Sequence, residues 1–216
     1  MVSARVILTY DDYAALPDDG RRYELYEGEL IEMSPSPRPR HQTVIGNLHV
    51  LMAEHVRGRG LGEVYLSPID VILSRITVLQ PDLVYIQRDR LGIVTERAIE
   101  GAPTLVVEVL SPSTDARDRG VKRALYARYR VPFYWIVDPV GRSVQALRLS
   151  GEAYEGCPSR RGGAPRLATA DRPDAGSDRR LAVIRHIAGD ATRLAECAPG
   201  STLPAATSTP RRAKLR

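Results

Sequence analysis

Glu108 lies within LVVEVL (105–110), a run of leucine and valine that reads as a buried strand. Asp82 lies likewise in PDLVYI (81–86). Side chains alternate along a strand, so Val106, Glu108 and Leu110 share one face, as do Asp82, Val84 and Ile86. A buried carboxylate must be paired, protonated or bound to a cation, because leaving it unpaired costs several kcal/mol. Neighbouring strands are ~4.8 Å apart. If these two are adjacent and in register, both acids converge on one Mg²⁺ (or Mn²⁺), with ~2.1 Å per metal–oxygen bond.

The third group is Lys122. The first 154 residues hold 19 basic side chains, and all but this one are arginine. Helical spacing over 115–130 puts Asp118 and Tyr126 at i−4 and i+4 on its stripe, beside an apolar face of Val121, Ala124, Leu125 and Tyr129. A compact ammonium there suits a phosphate oxygen or an attacking water. Each residue also has a plain structural reading. Glu108 can be a paired core carboxylate, Asp82 a turn or capping residue, and Lys122 a solvated charge paired with Asp118. Their order, Asp on a strand, Glu on a strand, Lys on a helix, favours chemistry.

The elements that must position them follow from periodicity. YELYEGELIEM (23–33) reads as a hairpin turning at Gly28, and SPSPRPR (34–40) as a Pro-rich connection. Val44, Ile45, Leu48, Leu51, Met52 and Val56 recur at helical spacing, predicting a helix over 41–56 that ends near Gly58. LGEVYLSPIDVIL (61–73) reads as extended, with a polar turn at Ser74–Arg75 before PDLVYI. FYWIVDP (133–139) predicts a strand and SVQALRL (143–149) an edge strand. This order describes an α/β (α+β) sheet domain.

Composition divides the chain at residue 154. All twelve aromatic residues lie at or before Tyr154, and residues 155–216 carry 12 Lys+Arg against 6 Asp+Glu. The first 154 residues are near neutral, so the overall +5 belongs to the tail. Residues 155–216 read as a basic, low-aromatic tail, largely disordered or atypical, with one short helix near 181–187; a shifted reading frame would give the same abrupt change. Both cysteines fall there, which leaves 1–154 without a disulfide or thiolate metal site. The start of the chain shows no signal pattern and no apolar run reaches ~20 residues, so a cytoplasmic protein without a membrane segment is expected. There is no phosphate-cradling glycine loop and no nucleophile elbow, which argues against nucleotide hydrolysis, acyl transfer and an organic cofactor.

YELYEGELIEMSPSP, HQTVIGNL, QPDLVYI and GAPTLVVEVLSPST…D…VKRALYARYRVPFYWIVDP resemble the Uma-type family of "putative restriction endonucleases", within the PD-(D/E)XK nuclease superfamily. The resemblance runs from about Tyr10 to Tyr154. It implies a restriction endonuclease-like core, a central mixed β-sheet flanked by helices, with the N-terminal hairpin added. It maps Pro81-Asp82 onto the PD element and Glu108 onto the acid of (D/E)XK. The chain departs where the superfamily lysine should stand, at Leu110; in this family the lysine is displaced to the following helix, here Lys122.

The resemblance implies a Mg²⁺-dependent endonuclease cutting DNA. Asp82, Glu108 and the Val109 main-chain carbonyl would hold the metal, and Lys122 would orient water or neutralise phosphate. Asp70 is a secondary candidate, as a further ligand or a structurally paired acid. His41 is a weaker candidate, equally well read as a polar residue at a helix N-terminus, and Tyr126 is a secondary candidate that reads first as a core or sheet-packing residue. His41, His49 and His55 share no single helix face, so a zinc site is not expected. Arg38, Arg40, Arg117, Arg119 and Arg123 are expected to form a basic rim. A homodimer is expected, since two strands are cut. The competing reading is a non-catalytic module of the same fold, favoured by the neutral charge of 1–154 and by Leu110.

Overall fold

The computed structural model describes residues 6–33 and 38–157. The predicted tail and its short helix lie outside these residues, apart from the first few positions of the tail. In chain order the elements are α1 (Tyr10–Ala14), β1 (Tyr23–Tyr26), β2 (Glu29–Glu32), α2 (Pro39–Gly58), β3 (Gly62–Leu66), β4 (Val71–Ser74), β5 (Thr77–Leu79) and β6 (Leu83–Gln87). After a 3₁₀ turn at Arg88–Ile93 come β7 (Ile99–Glu100), β8 (Leu105–Val109), α3 (Asp115–Arg117), a π-helical turn (Asp118–Lys122), α4 (Arg123–Arg128), β9 (Phe133–Asp138), β10 (Ser143–Ser150) and β11 (Ala153–Gly156).

The main sheet has the order β11-β10-β9-β8-β6-β3 and is mixed: β8 and β9 are parallel, the other pairs antiparallel. Apart from Glu108 and the terminal Asp138, its central strands β8 and β9 are apolar on both faces because both faces are covered. On one face α2 packs Ile45, Leu48, Met52 and Val56 against Val64, Leu83, Val107, Val109 and Trp135. On the other, Leu125, Tyr126 and Ala127 of α4 pack against Val106, Tyr134, Ile136 and Leu147. This is the restriction endonuclease-like plan of a central mixed sheet between helices.

Three expectations change. The N-terminal hairpin is not an addition: β1 and β2 belong to a second sheet of order β2-β1-β5-β4-β7. Its turn residues Glu27 and Gly28 both have positive φ, 50° and 82°, as a two-residue type I′ turn requires. Residues 61–73 are not one extended segment. The chain breaks at Ser67–Pro68 and passes from β3 in the main sheet to β4 in the second. Finally, β10 is not the edge, because β11 pairs outside it.

The second sheet covers the part of the main sheet that α4 leaves open. Val71 and Ile99 meet Val84 and Ile86 of β6, and Tyr26 and Leu79 join the α4 cluster. Among the described residues no helix is long and apolar enough to cross a membrane.

Candidate active site

Strands β6 and β8 are antiparallel, with Leu83 opposite Val107 and Val84 opposite Val106. Continued one step beyond that ladder, the register would set Asp82 opposite Glu108. Directly opposed residues on antiparallel strands share a face. Asp82, just before β6, reaches the end of β8: its Oδ2 accepts from the Val109 N–H at 2.7 Å, and its charge acts on Glu108.

Lys122 reaches the same point from the helix. Its Nζ is 3.0 Å from Glu108 Oε1, 2.9 Å from Glu24 Oε1 and 3.9 Å from Asp118 Oδ1. Tyr126, one turn on, donates its hydroxyl to Glu108 Oε1 at 2.8 Å. Of the expected apolar face of this helix, Leu125 is in the core and Tyr129 packs against it, but the other two residues do not. Val121 and Ala124 are exposed, whereas Asp118, Lys122 and Tyr126 face the sheet. The turn that carries Asp118 and Lys122 is π-helical.

Glu24 was not foreseen. It comes from β1 of the second sheet and is fully buried, as are Glu108 and Lys122 at 3% exposure each. Its Oε1 also accepts from the Gln80 N–H at 2.7 Å, and its Oε2 accepts from the Tyr26 hydroxyl at 2.6 Å. Read as an isolated hairpin, β1 has one face in water and Glu24 belongs there. The helical segment that brings Lys122 onto the second sheet buries it instead.

His41, at the start of α2, closes the site from the other side. Its Nε2 donates to the Val109 carbonyl at 2.7 Å and lies 3.4 Å from Asp82 Oδ2. That same carboxylate oxygen accepts from the Val109 N–H at 2.7 Å. The main-chain carbonyl expected as a metal ligand thus already serves His41 with one of its two lone pairs. Asp70 stands apart from the acid pair: its Oδ1 accepts from Tyr13 and from Gln80 Nε2 at 3.0 and 2.8 Å, the structurally paired arrangement. His49 and His55 lie further along α2, and His55 contacts Arg59.

Four carboxylates, Glu24, Asp82, Glu108 and Asp118, face one lysine and one histidine. Desolvation pushes Glu108 well above the ordinary glutamate range; Lys122 pulls it down, and the surrounding carboxylates push it further up. Burial also raises Asp118 to about 6, against the pull of Lys122. Desolvation alone would lower Lys122, but Glu108 and Glu24 outweigh it and hold the ammonium charged. His41 is raised in the same way: its burial cost is overcome by the hydrogen bond and charge of Asp82. The site carries more negative charge than its own cations neutralise.

The expected basic rim is partly committed elsewhere. Arg40 binds the Pro139 carbonyl, Arg119 pairs with Asp115, and Arg123 binds the Tyr154 carbonyl. Arg38 is exposed before α2, and Arg117 is half-buried close enough to act on Tyr26.

A profile of the Uma2 family, described as "Putative restriction endonuclease", matches residues 10–171. The chain belongs to this family. A solved structure of similar fold is a protein from Anabaena variabilis ATCC 29413, titled a putative nuclease belonging to DUF820. It is 19% identical, with a TM-score of 0.58, covering 68% of this chain and 83% of that one. No curated protein matches. Family and fold together make this a nuclease-family protein with a restriction endonuclease-like core.

Proposed function

We propose that this Uma2-family protein is a metal-dependent endonuclease that hydrolyses phosphodiester bonds of DNA. What supports the reading is that Asp82 binds the Val109 N–H of β8, next to Glu108, and that Lys122 lies 3.0 Å from Glu108.

The residues fit a hard divalent cation. Among the described residues no three His, Cys, Asp or Glu side chains form a metal cluster. Mg²⁺ does not need one, since it binds through one or two carboxylates and keeps several waters. Asp82 and Glu108 each engage one oxygen with described residues, Oδ2 and Oε1, and keep Oδ1 and Oε2 outside those bonds. The excess of negative charge gives the cation its electrostatic reason. Asp82 and Glu108 would hold it, with the second lone pair of the Val109 carbonyl completing the protein's share. When bound, Mg²⁺ or Mn²⁺ supplies an activated water and stabilises charge on the phosphate.

The chain's own groups have distinct tasks. Lys122 has three N–H donors and uses two, on Glu24 and Glu108. The third suits a phosphate oxygen or the attacking water. Tyr126 fixes the Glu108 carboxylate. His41 ties Asp82 to the Val109 carbonyl and so keeps β6 and β8 in register at the site. The protein would act without an organic cofactor, as a cytoplasmic homodimer whose two sites cut the two strands.

A non-catalytic nuclease-fold module is the second reading. The hydrogen bond from His41 to the Val109 carbonyl and the near-neutral charge of residues 1–154 favour it. Plasmid cleavage with Mg²⁺ or Mn²⁺ decides. Wild type should cut, and Asp82→Ala and Glu108→Ala should each lose at least ~10²-fold in rate. Variants that cut like wild type would remove the assignment. A silent wild type with no calorimetric Mn²⁺ binding would establish the module.

A further inference from the structure

Superfamily nucleases that carry the lysine two residues after the acid fix both groups on one strand. Here that position is Leu110, and the ammonium arrives from the π turn of a separate helix. Four rotatable side-chain bonds separate Lys122 Nζ from its backbone, so something else must aim it. Glu108 alone does not suffice, because it must also face the metal.

Glu24 meets the requirement. It is fully buried, and its Oε1 lies 2.9 Å from Lys122 Nζ. Both of its oxygens are committed: Oε1 to Lys122 and the Gln80 N–H, Oε2 to the Tyr26 hydroxyl. That commitment makes it a poor metal ligand and a rigid anchor. Gln80 is two residues before Asp82, so the same carboxylate also ties down the backbone entering β6. The Gln80 side chain is fixed in turn by Arg22 at 2.7 Å and by Asp70 at 2.8 Å.

We propose that Glu24 is a positioning residue of the active site, holding the Lys122 ammonium beside Glu108 in place of the backbone link that a lysine at position 110 would give. The assignment rests on the nuclease reading for its effect on rate, but not for its effect on the lysine. Glu24 acts through Lys122, never on the substrate.

The chain has two lysines, Lys122 and Lys214, so ¹⁵N-lysine labelling of the full protein yields two ammonium signals to follow by NMR. The Lys122 ammonium, buried between two carboxylates, should be protected from solvent exchange, and Glu24→Gln should abolish that protection. In cleavage assays Glu24→Gln should lower kcat about 100-fold, the scale of a catalytic group misplaced by an ångström. KM for DNA and Mn²⁺ affinity should stay within about twofold. Glu24→Asp should recover part of the rate. In a Lys122→Gln background Glu24→Gln should cost nothing further. If Glu24→Gln does not fold, Tyr26→Phe should reproduce the split between kcat and KM more weakly.

A folded Glu24→Gln protein with a protected ammonium and wild-type kcat overturns the proposal. So does Tyr26→Phe at wild-type kcat where Glu24→Gln is unfolded, or an additive loss in the double variant. If wild type does not cut at all, the nuclease reading fails while the lysine signals still decide whether Glu24 anchors Lys122.

Discussion

Asp118 is the carboxylate this site accommodates least well. It is 1% exposed, its Oδ1 has no hydrogen bond, and the nearest cation is Lys122 at 3.9 Å. Burial raises it from 3.8 to about 6. Between those two values the unfolded chain gives up the proton while the native protein keeps it. The contribution of Asp118 to stability therefore falls as pH rises from about 4 to about 6, and the full cost remains above that. Asp118→Asn removes the charge and adds donors where carboxylate acceptors are abundant. In metal-free buffer it should stabilise the protein at pH 8 by roughly 2 kcal/mol, with the gain vanishing below pH ~4. Denaturant unfolding at both pH values checks this, and equal stability at pH 8 would count against it. The same residue marks the limit of sequence reading at the site. Asp82, Glu108 and Lys122 were legible because a carboxylate in an apolar strand and a single lysine among arginines are anomalies. Glu24 and the inward turn of Asp118 were not, because nothing local to YELY or to DRGVK signals what lies above them.

The elements that bring these residues together have weak local signatures. The π turn over Asp118–Lys122 contains Gly120, where an added Cβ meets nothing within 4 Å. Gly120→Ala should stabilise the helix by about 0.5–1 kcal/mol, through propensity and reduced unfolded-state entropy. Gly28 is the opposite case. It has φ 82° and a Cβ there would sit 2.4 Å from Ile7 Cγ2 and 3.2 Å from the Ile7 backbone. Gly28→Ala should destabilise by about 1–3 kcal/mol and loosen the hairpin that carries Glu24. Opposite shifts in the urea midpoint test both, and a common sign would refute the geometric argument. The long helix α2 and the 23–32 hairpin were readable from a clean period, and strands β8 and β9 from compact apolar runs with clear stops. Strands β5 and β7, three and two residues long, were not, since such segments are too short to show alternation. The switch of sheet at Ser67–Pro68 was hidden because both flanking strands are apolar and extended.

At the scale of the molecule, charge is distributed unevenly for a proposed DNA nuclease. Residues 1–154 are near neutral, and Arg40, Arg119 and Arg123 are spent on internal contacts. Residues 155–216 supply 12 Lys+Arg against 6 Asp+Glu, and every one of those basic residues follows Cys157. Counterion release makes phosphate contacts visible as a salt slope of about 0.9 per contact on duplex DNA. If residues 1–157 bound phosphate through their own surface, removing the basic segment would leave that slope nearly intact. The side-chain commitments argue otherwise. A chain ending at Cys157, which retains β11, should bind duplex DNA more weakly at low salt, with a slope reduced by several contacts. Affinity measured across a salt series for both chains tests this. Because Asp82, Glu108, Lys122 and Glu24 are untouched by the truncation, cleavage at saturating DNA should survive it while apparent KM rises. Equal slopes would place the DNA surface within residues 1–157 and turn attention to Arg38 and Arg117.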